Sequence, residues 1–222
     1  MSKPTLIYFP SRGRAELIRL VLAEAGVDYQ EHPIGKGTPP ANGRPTDFTV
    51  LKETPLLPFG AVPVWEEPDG FILAQSAAIA SHLARIHGLR GKTPREAAQC
   101  DQLLGAYDDV RMELRKVATA APEGRAAQRE LLASQFLPRW FGYFDRLLKA
   151  NGGGRGWLIG DSFTVADLAL WYLIESCQEN GFGAAVSACP LLTAFAARVA
   201  ARPRLAEYLG SARRPPFVPL PT

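Results

Sequence analysis

Tyr8-Phe9-Pro10-Ser11-Arg12-Gly13-Arg14 stands between two regular patterns, and its reading decides the fold. On its N-terminal side, Thr5-Leu6-Ile7-Tyr8-Phe9 is a short β-branched and aromatic run of strand type. On its C-terminal side, Ala15, Ile18, Leu22 and Ala25, with Leu17 and Val21 alongside, recur at helical spacing. A helix beginning near Ser11 or Arg12 leaves Tyr8 at the carboxyl end of the first strand. Its phenol then faces the positive end of the following helix, a place that favours anions. A phenol there can donate a hydrogen bond to an anion and hold it ionised.

Working outward, residues 4 to 33 read strand, helix, strand, with a turn at Gly26 and the alternating run Val27 to His32. Residues 34 to 54 are rich in glycine and proline and read as a long irregular loop, of a length that tends to be functional. Ala61 to Trp65 and Phe71 to Leu73 flank Pro68-Asp69-Gly70, which predicts a hairpin. A helix follows from about Ser76 to His87, and Gly88 to Pro94 reads as a linker. Beyond it the pattern is helical only: Pro94 to about Ala118, then Gly124 to Ala150 with a bend at Pro138, then short helices after Pro190 and Pro203. Ser162 to Leu168 carries a capping box, Thr164 with Asp167, and a hydrophobic staple, Phe163 with Leu168. The tail from Arg213 to Thr222 holds four prolines and reads as extended over the surface. The order β-α-β, β-β-α, then all helix gives a mixed sheet flanked by helices, followed by a helical domain. The expected division is 1–90 and 91–222.

Composition narrows the function. A net charge of +3 with dispersed arginines gives no reason to expect nucleic acid. No apolar run approaches a membrane span. The strand begins directly after Met1-Ser2-Lys3-Pro4, so no signal peptide and a cytoplasmic location are expected. Three cysteines, Cys100, Cys177 and Cys189, have no metal spacing and read as small core residues. His32, His82 and His87 are scattered, and no metal site is expected. Trp140, Phe141, Tyr143 and Phe144 read as core rather than as a ligand site.

Chemistry concentrates in the first half. Ser76 stands where a helix N-cap belongs; its hydroxyl can simply cap, or the helix amides can receive a carboxylate. Pro63 in Val62-Pro63-Val64 begins a strand, where an edge, a bulge or a cis bond suits it. A cis bond would turn the Val62 amide and carbonyl toward the same cleft as Ser76.

Three stretches together resemble the cytosolic glutathione transferases: Tyr8 to Glu16, Pro58-Phe59-Gly60-Ala61-Val62-Pro63-Val64, and Gln75-Ser76-Ala77-Ala78-Ile79. The tyrosine-type branch, near the sigma and pi classes, is the most similar, and Thr164 to Asp167 resembles the same family's helical domain. The resemblance implies a thioredoxin-like N-terminal domain, an all-helical C-terminal domain and a homodimer. It implies glutathione as co-substrate with no cofactor, and a small hydrophobic electrophile as second substrate.

By the same resemblance, Tyr8 would hydrogen-bond the glutathione sulfur and stabilise its thiolate, with Arg14 orienting it. Val62 would give main-chain bonds to the cysteinyl part, with Gly60, Ala61 and Pro63 beside it. Gln75 and Ser76 would hold the γ-glutamyl end, and Lys52 the glycyl carboxylate. Asp109 would reach glutathione across the dimer, against the rival reading of a solvated Asp108-Asp109 pair. Tyr107 and Met112 are candidates for an electrophile pocket, with helical-core packing as their rival. Two departures concern the glycyl end: Phe48 stands where the family carries a tryptophan, and Thr54 to Leu57 reads as an insertion. The implied activity is conjugation of glutathione to electrophiles in detoxification. A glutathione-dependent isomerase or peroxidase, and a non-catalytic structural protein or ligand carrier, are the alternatives. Where a thiol-disulfide oxidoreductase places CxxC, this chain has Phe9-Pro10-Ser11-Arg12.

Overall fold

The four residues Thr5–Tyr8 form β1, the buried axis of a four-stranded sheet whose order is β2-β1-β3-β4. The computed structural model describes residues 3–35 and 44–222. Most of the stretch Gly35 to Pro45, the glycine- and proline-rich start of the expected 34 to 54 loop, therefore lies outside the described residues.

Strand β2, Gln30–Pro33, runs parallel to β1 with Thr5 opposite Gln30 and Tyr8 opposite Pro33. A parallel pair needs a crossover, and α1, Glu16–Ala25, supplies it. Its start differs from expectation: Gly13–Ala15 forms a single 3-10 turn, and the α-helix begins only at Glu16. The φ of +43° at Gly13 does not fit an α-helix, so the helix cannot begin at Ser11 or Arg12. Gly26, in the left-handed region, ends α1 by donating to the Ala23 and Leu22 carbonyls.

Next comes α2, Phe48–Leu51, a single turn that the loop reading of residues 34 to 54 missed. Asp47 caps it, its carboxylate accepting from the Thr49 amide at 2.8 Å. Strand β3, Val64–Glu66, pairs antiparallel with β1 and with β4, Ile72–Ala74. The hairpin turn falls at Pro68-Asp69-Gly70, with the Asp69 carboxylate accepting from the Phe71 amide. Strand β3 is shorter than its apolar run Ala61 to Trp65, since Pro63 cannot donate to a ladder, and β4 is displaced by one residue from Phe71 to Leu73. Helix α3, Ser76–Ile86, completes the thioredoxin-like arrangement. Ile7, Ile34, Leu51, Leu57, Val64 and Ala74 share one core, with Phe48 and Val62 against it.

Contacts divide the chain into two units. The first holds residues up to Leu83 together with Glu207–Val218; the second holds Ala84–Ala206 and the last four residues. The second unit is helical: α4, Pro94–Thr119; α5, Pro122–Leu131; α6, Leu137–Ala150; α7, Val165–Glu179; α8, Gly183–Ser187; and α9, Pro190–Ala200. A final helix, α10, covers Pro203–Leu209. A π turn at Leu132–Phe136 takes the place of the bend expected at Pro138, just ahead of this residue that lacks an N–H.

In the second unit α4 packs on the nearly all-buried α7. The capping box that opens α7 is formed, with the Asp167 carboxylate accepting from the Thr164 amide at 2.8 Å and from its hydroxyl at 3.0 Å. The aromatic stretch on α6 is only half core: Phe141 and Phe144 are buried, while Tyr143 faces solvent. Cys100 and Cys177 are buried and Cys189 is partly so. Among the described residues no helix is long and apolar enough to cross a membrane.

Candidate functional site

Tyr8 ends β1, its carbonyl accepting from the Ile34 amide at 2.9 Å, so its backbone is fixed by the sheet. The chain then turns back over the phenol. The main-chain N–H of Arg14 donates to the Tyr8 hydroxyl oxygen at 2.9 Å. That oxygen thus has one lone pair engaged, and its own hydrogen remains available to donate to a further acceptor. The contact between Arg14 and Tyr8 thus runs through the Arg14 main-chain amide.

Gly13 makes this approach practicable, because a Cβ placed there would lie 2.5 Å from the Tyr8 oxygen. No role for Gly13 was expected from the sequence; its place directly before Arg14 was the available signal. On the other side, the Tyr8 and Phe9 rings meet edge to face, and Phe9 meets Phe48 at 5.6 Å. This aromatic chain joins the Tyr8 loop to α2.

Lys52 follows directly at the C-cap of α2, exposed, with its ammonium 3.8 Å from Glu53. Gly60, at φ +56°, closes toward the Lys52 backbone: a Cβ there would stand 3.7 Å from the Lys52 carbonyl oxygen. Phe59 beside it projects into solvent, 69 % exposed. Ala61 is exposed and Val62 half-buried, and the Val62–Pro63 peptide is cis, as the strand-start proline suggested. The β1, α2 and β3 segments thus carry Tyr8, Lys52, Gly60, Ala61, Val62 and Pro63 within one unit.

The junction of β4 and α3 corrects one expectation. The first helical bond runs from the Ile79 amide to the Gln75 carbonyl, so Gln75 holds the cap position and Ser76 is the first helical residue. Ser76 is buried, and Gln75 is exposed at φ +74°, left-handed although not glycine. Such a conformation costs of order 1–3 kcal/mol and persists where surrounding structure imposes it. The opening amides of α3 have no acceptor within the helix and suit an anion.

The remaining candidates lie in the second unit. Tyr107 on α4 is buried against Tyr172 of α7, with the Arg111 guanidinium near both rings at 5.6 and 5.5 Å. Met112 and Asp109 are exposed on the same helix and Asp108 is half-buried. Asp101 is paired with Arg90. In the first unit, His82 is hydrogen-bonded to Glu67 at 2.9 Å, and its ring lies tilted 5.6 Å from that of Phe71. Among the described residues no cluster of side chains could hold a metal ion.

A buried charged group beneath the Tyr8 loop escaped the sequence analysis. Glu16 and Arg19, both on α1, are 0 % and 1 % exposed. Arg19 donates to the Glu31 carboxylate at 2.8 and 3.2 Å and to the Ser11 carbonyl at 2.9 Å. Burial opposes the Arg19 charge, but the bonds and charges of Glu31 and Glu16 outweigh it, and its pKa is raised. Burial likewise raises the pKa of Glu16, against the pull of Arg214 and Arg19. Their signal was a glutamate and an arginine at i, i+3 among apolar neighbours, a place where charges are kept only if paired.

A four-stranded sheet of order β2-β1-β3-β4 flanked by helices, followed in the chain by an all-helical unit, defines a thioredoxin-like domain joined to a helical one. Residues 4–85 match the family described as Glutathione S-transferase, N-terminal domain, and residues 108–212 match Glutathione S-transferase, C-terminal domain. The chain is 33 % identical to Glutathione S-transferase A4 of Mus musculus over 97 % of its length and 92 % of the relative. It is 34 % identical to Glutathione S-transferase P of Pongo abelii, over 98 % of its length and 95 % of the relative. Its fold superposes, at a TM-score of 0.78 and 31 % identity, on monomeric Na-GST-3, a glutathione S-transferase from the hookworm Necator americanus. That match covers 93 % of this chain and 96 % of the other. The chain belongs to the glutathione S-transferase family.

Proposed function

We propose that the protein is a tyrosine-type glutathione transferase, akin to the sigma and pi classes, which joins the thiolate of glutathione to small hydrophobic electrophiles. The observation that carries this reading is the Arg14 amide donating to the Tyr8 oxygen, which leaves the phenol hydrogen free for a sulfur. A phenol O–H aimed at the sulfur stabilises the thiolate over the thiol, and the thiolate is the nucleophile. Its proton leaves to solvent on binding; the sulfur electron pair then forms the new bond as the leaving group of the electrophile departs. The chain's contribution is thiolate stabilisation and proximity.

In this reading Gln75 and Ser76, with the opening amides of α3, take the γ-glutamyl carboxylate. Val62, flanked by Gly60, Ala61 and Pro63, pairs with the cysteinyl peptide, and Lys52 takes the glycyl carboxylate. Tyr107 and Met112 are assigned to the electrophile side, where the burial of Tyr107 limits it to shaping the surface from behind. Glutathione is a co-substrate, and no cofactor is required. We assign the protein to the cytoplasm, to detoxification, and to a homodimer in which Asp109 reaches the partner's glutathione. Exposed Asp109 and the projecting Phe59 fit that arrangement, although one relative is named as monomeric. Sedimentation of the purified chain checks the dimer.

The deciding experiment follows the ultraviolet thiolate absorbance of bound glutathione against pH in wild type and Tyr8→Phe. The expected result is a bound thiol pKa well below that of free glutathione, returning toward it in the variant. Binding without a shift would refute the catalytic reading, and no binding would refute the glutathione site itself.

A further inference from the structure

The last turn and tail of the chain close onto the Tyr8 loop from the far end of the sequence. Arg214 donates through Nε to Glu16 Oε1 at 2.7 Å, and the Tyr208 hydroxyl donates to Glu16 Oε2 at 3.1 Å. Glu16 Oε2 lies 3.6 Å from the Arg19 guanidinium, and that guanidinium sits 5.9 Å from the centre of the Tyr8 ring. The same Arg19 nitrogen donates to the Ser11 carbonyl at 2.9 Å and lies 3.4 Å from that of Arg12. A second route runs outside the first: Arg12 donates through Nε to the Pro215 carbonyl at 3.1 Å and stands over the Phe217 ring at 5.7 Å.

We infer that Tyr208, Arg214 and the Pro215–Phe217 segment are positioning residues for Tyr8, acting through Glu16, Arg19 and the Ser11–Arg14 turn. The inference rests on the reading of Tyr8 given above and deepens it. Fixing the carbonyls of Ser11 and Arg12 fixes the peptide planes that follow, and one of these presents the Arg14 amide to the phenol oxygen. The charges close upon themselves: Arg19 and Arg214 face Glu16 and Glu31, with the hydroxyls of Tyr29 and Tyr208 donating to the two carboxylates. A buried network of this kind is costly to break at one member, because the partner is left charged or forced to take a proton. Without Arg214, the buried Glu16 carboxyl gains a proton more readily, Arg19 loses one of its two counter-ions, and its grip on the turn loosens. The chain end thereby governs how the phenol hydrogen is aimed, while the residues assigned to the glutathione peptide lie elsewhere in the unit.

The test compares Arg214→Gln, Arg214→Lys and Tyr208→Phe with wild type and Tyr8→Phe. Two quantities are read: the pH dependence of the thiolate absorbance of bound glutathione, and the affinity for S-methylglutathione, whose sulfur carries no proton. In Arg214→Gln roughly threefold less thiolate is expected at a pH below the transition, with S-methylglutathione affinity within about twofold of wild type. Arg214→Lys recovers most of the thiolate, and Tyr208→Phe shows a smaller loss in the same direction. A cooperatively melting Arg214→Gln protein with wild-type thiolate overturns the inference. So does a variant in which thiolate and S-methylglutathione binding fall together, since that is the mark of a merely structural role. If Arg214→Gln does not fold, Tyr208→Phe decides: unchanged thiolate there refutes the inference. A wild-type thiolate signal in Tyr8→Phe shows instead that the underlying reading of Tyr8 has failed, and the positioning role falls with it.

Discussion

Gly13 and Tyr8 are in contact across the start of the first helix: a methyl group on Gly13 would lie 2.5 Å from the phenol oxygen. The glycine therefore makes room for the phenol by lacking a side chain. Its φ of +43° also belongs to the left-handed region that side chains resist.

Gly13→Ala combines that strain with a clash against the oxygen that would do the chemistry. The strain alone is of order 1–2 kcal/mol, which a two-domain chain can tolerate. The clash must move either the Tyr8 ring or the Arg14 amide. We expect kcat to fall by about 10²-fold, comparable to loss of one oxyanion donor. The thermal midpoint should drop by only a few degrees. Activity within twofold of wild type would mean that the turn can shift freely without disturbing the phenol.

Gln75 holds its left-handed conformation beside a helix start, exposed to solvent. Strain of this kind is kept where the side chain has a task. Gln75→Gly should stabilise the fold by about 1 kcal/mol, by removing the steric penalty. It should at the same time raise the KM for glutathione several-fold. Denaturant midpoints and steady-state kinetics on the same preparation check both halves. A more stable protein with unchanged KM would leave the strain without a functional counterpart.

The order of elements was legible because each carries its own period, and Thr164 with Asp167 marked the start of α7 in four residues. The candidate positions could be named from the sequence, but not the geometry around them. That the Arg14 amide reaches the Tyr8 oxygen depends on the φ of Gly13, which no periodicity encodes. The single-turn α2 was hidden by the prolines and glycines around it, although Asp47 before Phe48-Thr49-Val50-Leu51 was its cap signal. Least legible was the Glu16 network, whose partners Tyr208 and Arg214 lie 192 and 198 residues away in the chain. Pattern reading works within an element; a buried charge and its counter-ion obey no local spacing.

Lys52 offers a clean separation of binding from fold. Its side chain is exposed and its recorded ion pair, with Glu53 at 3.8 Å, is a surface one worth little. Lys52→Ala should leave the melting transition in place. If the ammonium receives the glycyl carboxylate, KM for glutathione should rise about tenfold, equivalent to ~1.4 kcal/mol, with kcat nearly unchanged. High salt should weaken wild-type binding more than that of the variant. An unaltered KM would remove Lys52 from the site.

Asp167 links the capping box to the pH dependence of stability. Burial pushes its carboxyl up to about 6 from an ordinary 3.8, although the Leu158 and Thr164 amides and the Thr164 hydroxyl all donate to it. A folded-state pKa above the unfolded one means that the protonated form fits the fold better. The contribution is complete below about 3.8 and is lost as pH rises through about 6. Over that window the group removes of order 3 kcal/mol from the folding free energy. Asp167→Asn abolishes the titration but places an amide nitrogen opposite donors that a carboxylate oxygen satisfied. We expect a loss of about 1–3 kcal/mol near pH 4. The urea midpoint of the variant should then decline less than that of wild type between pH 4 and pH 7. Parallel pH profiles for the two proteins would show that Asp167 stays ionised throughout, and that its three donors outweigh its burial.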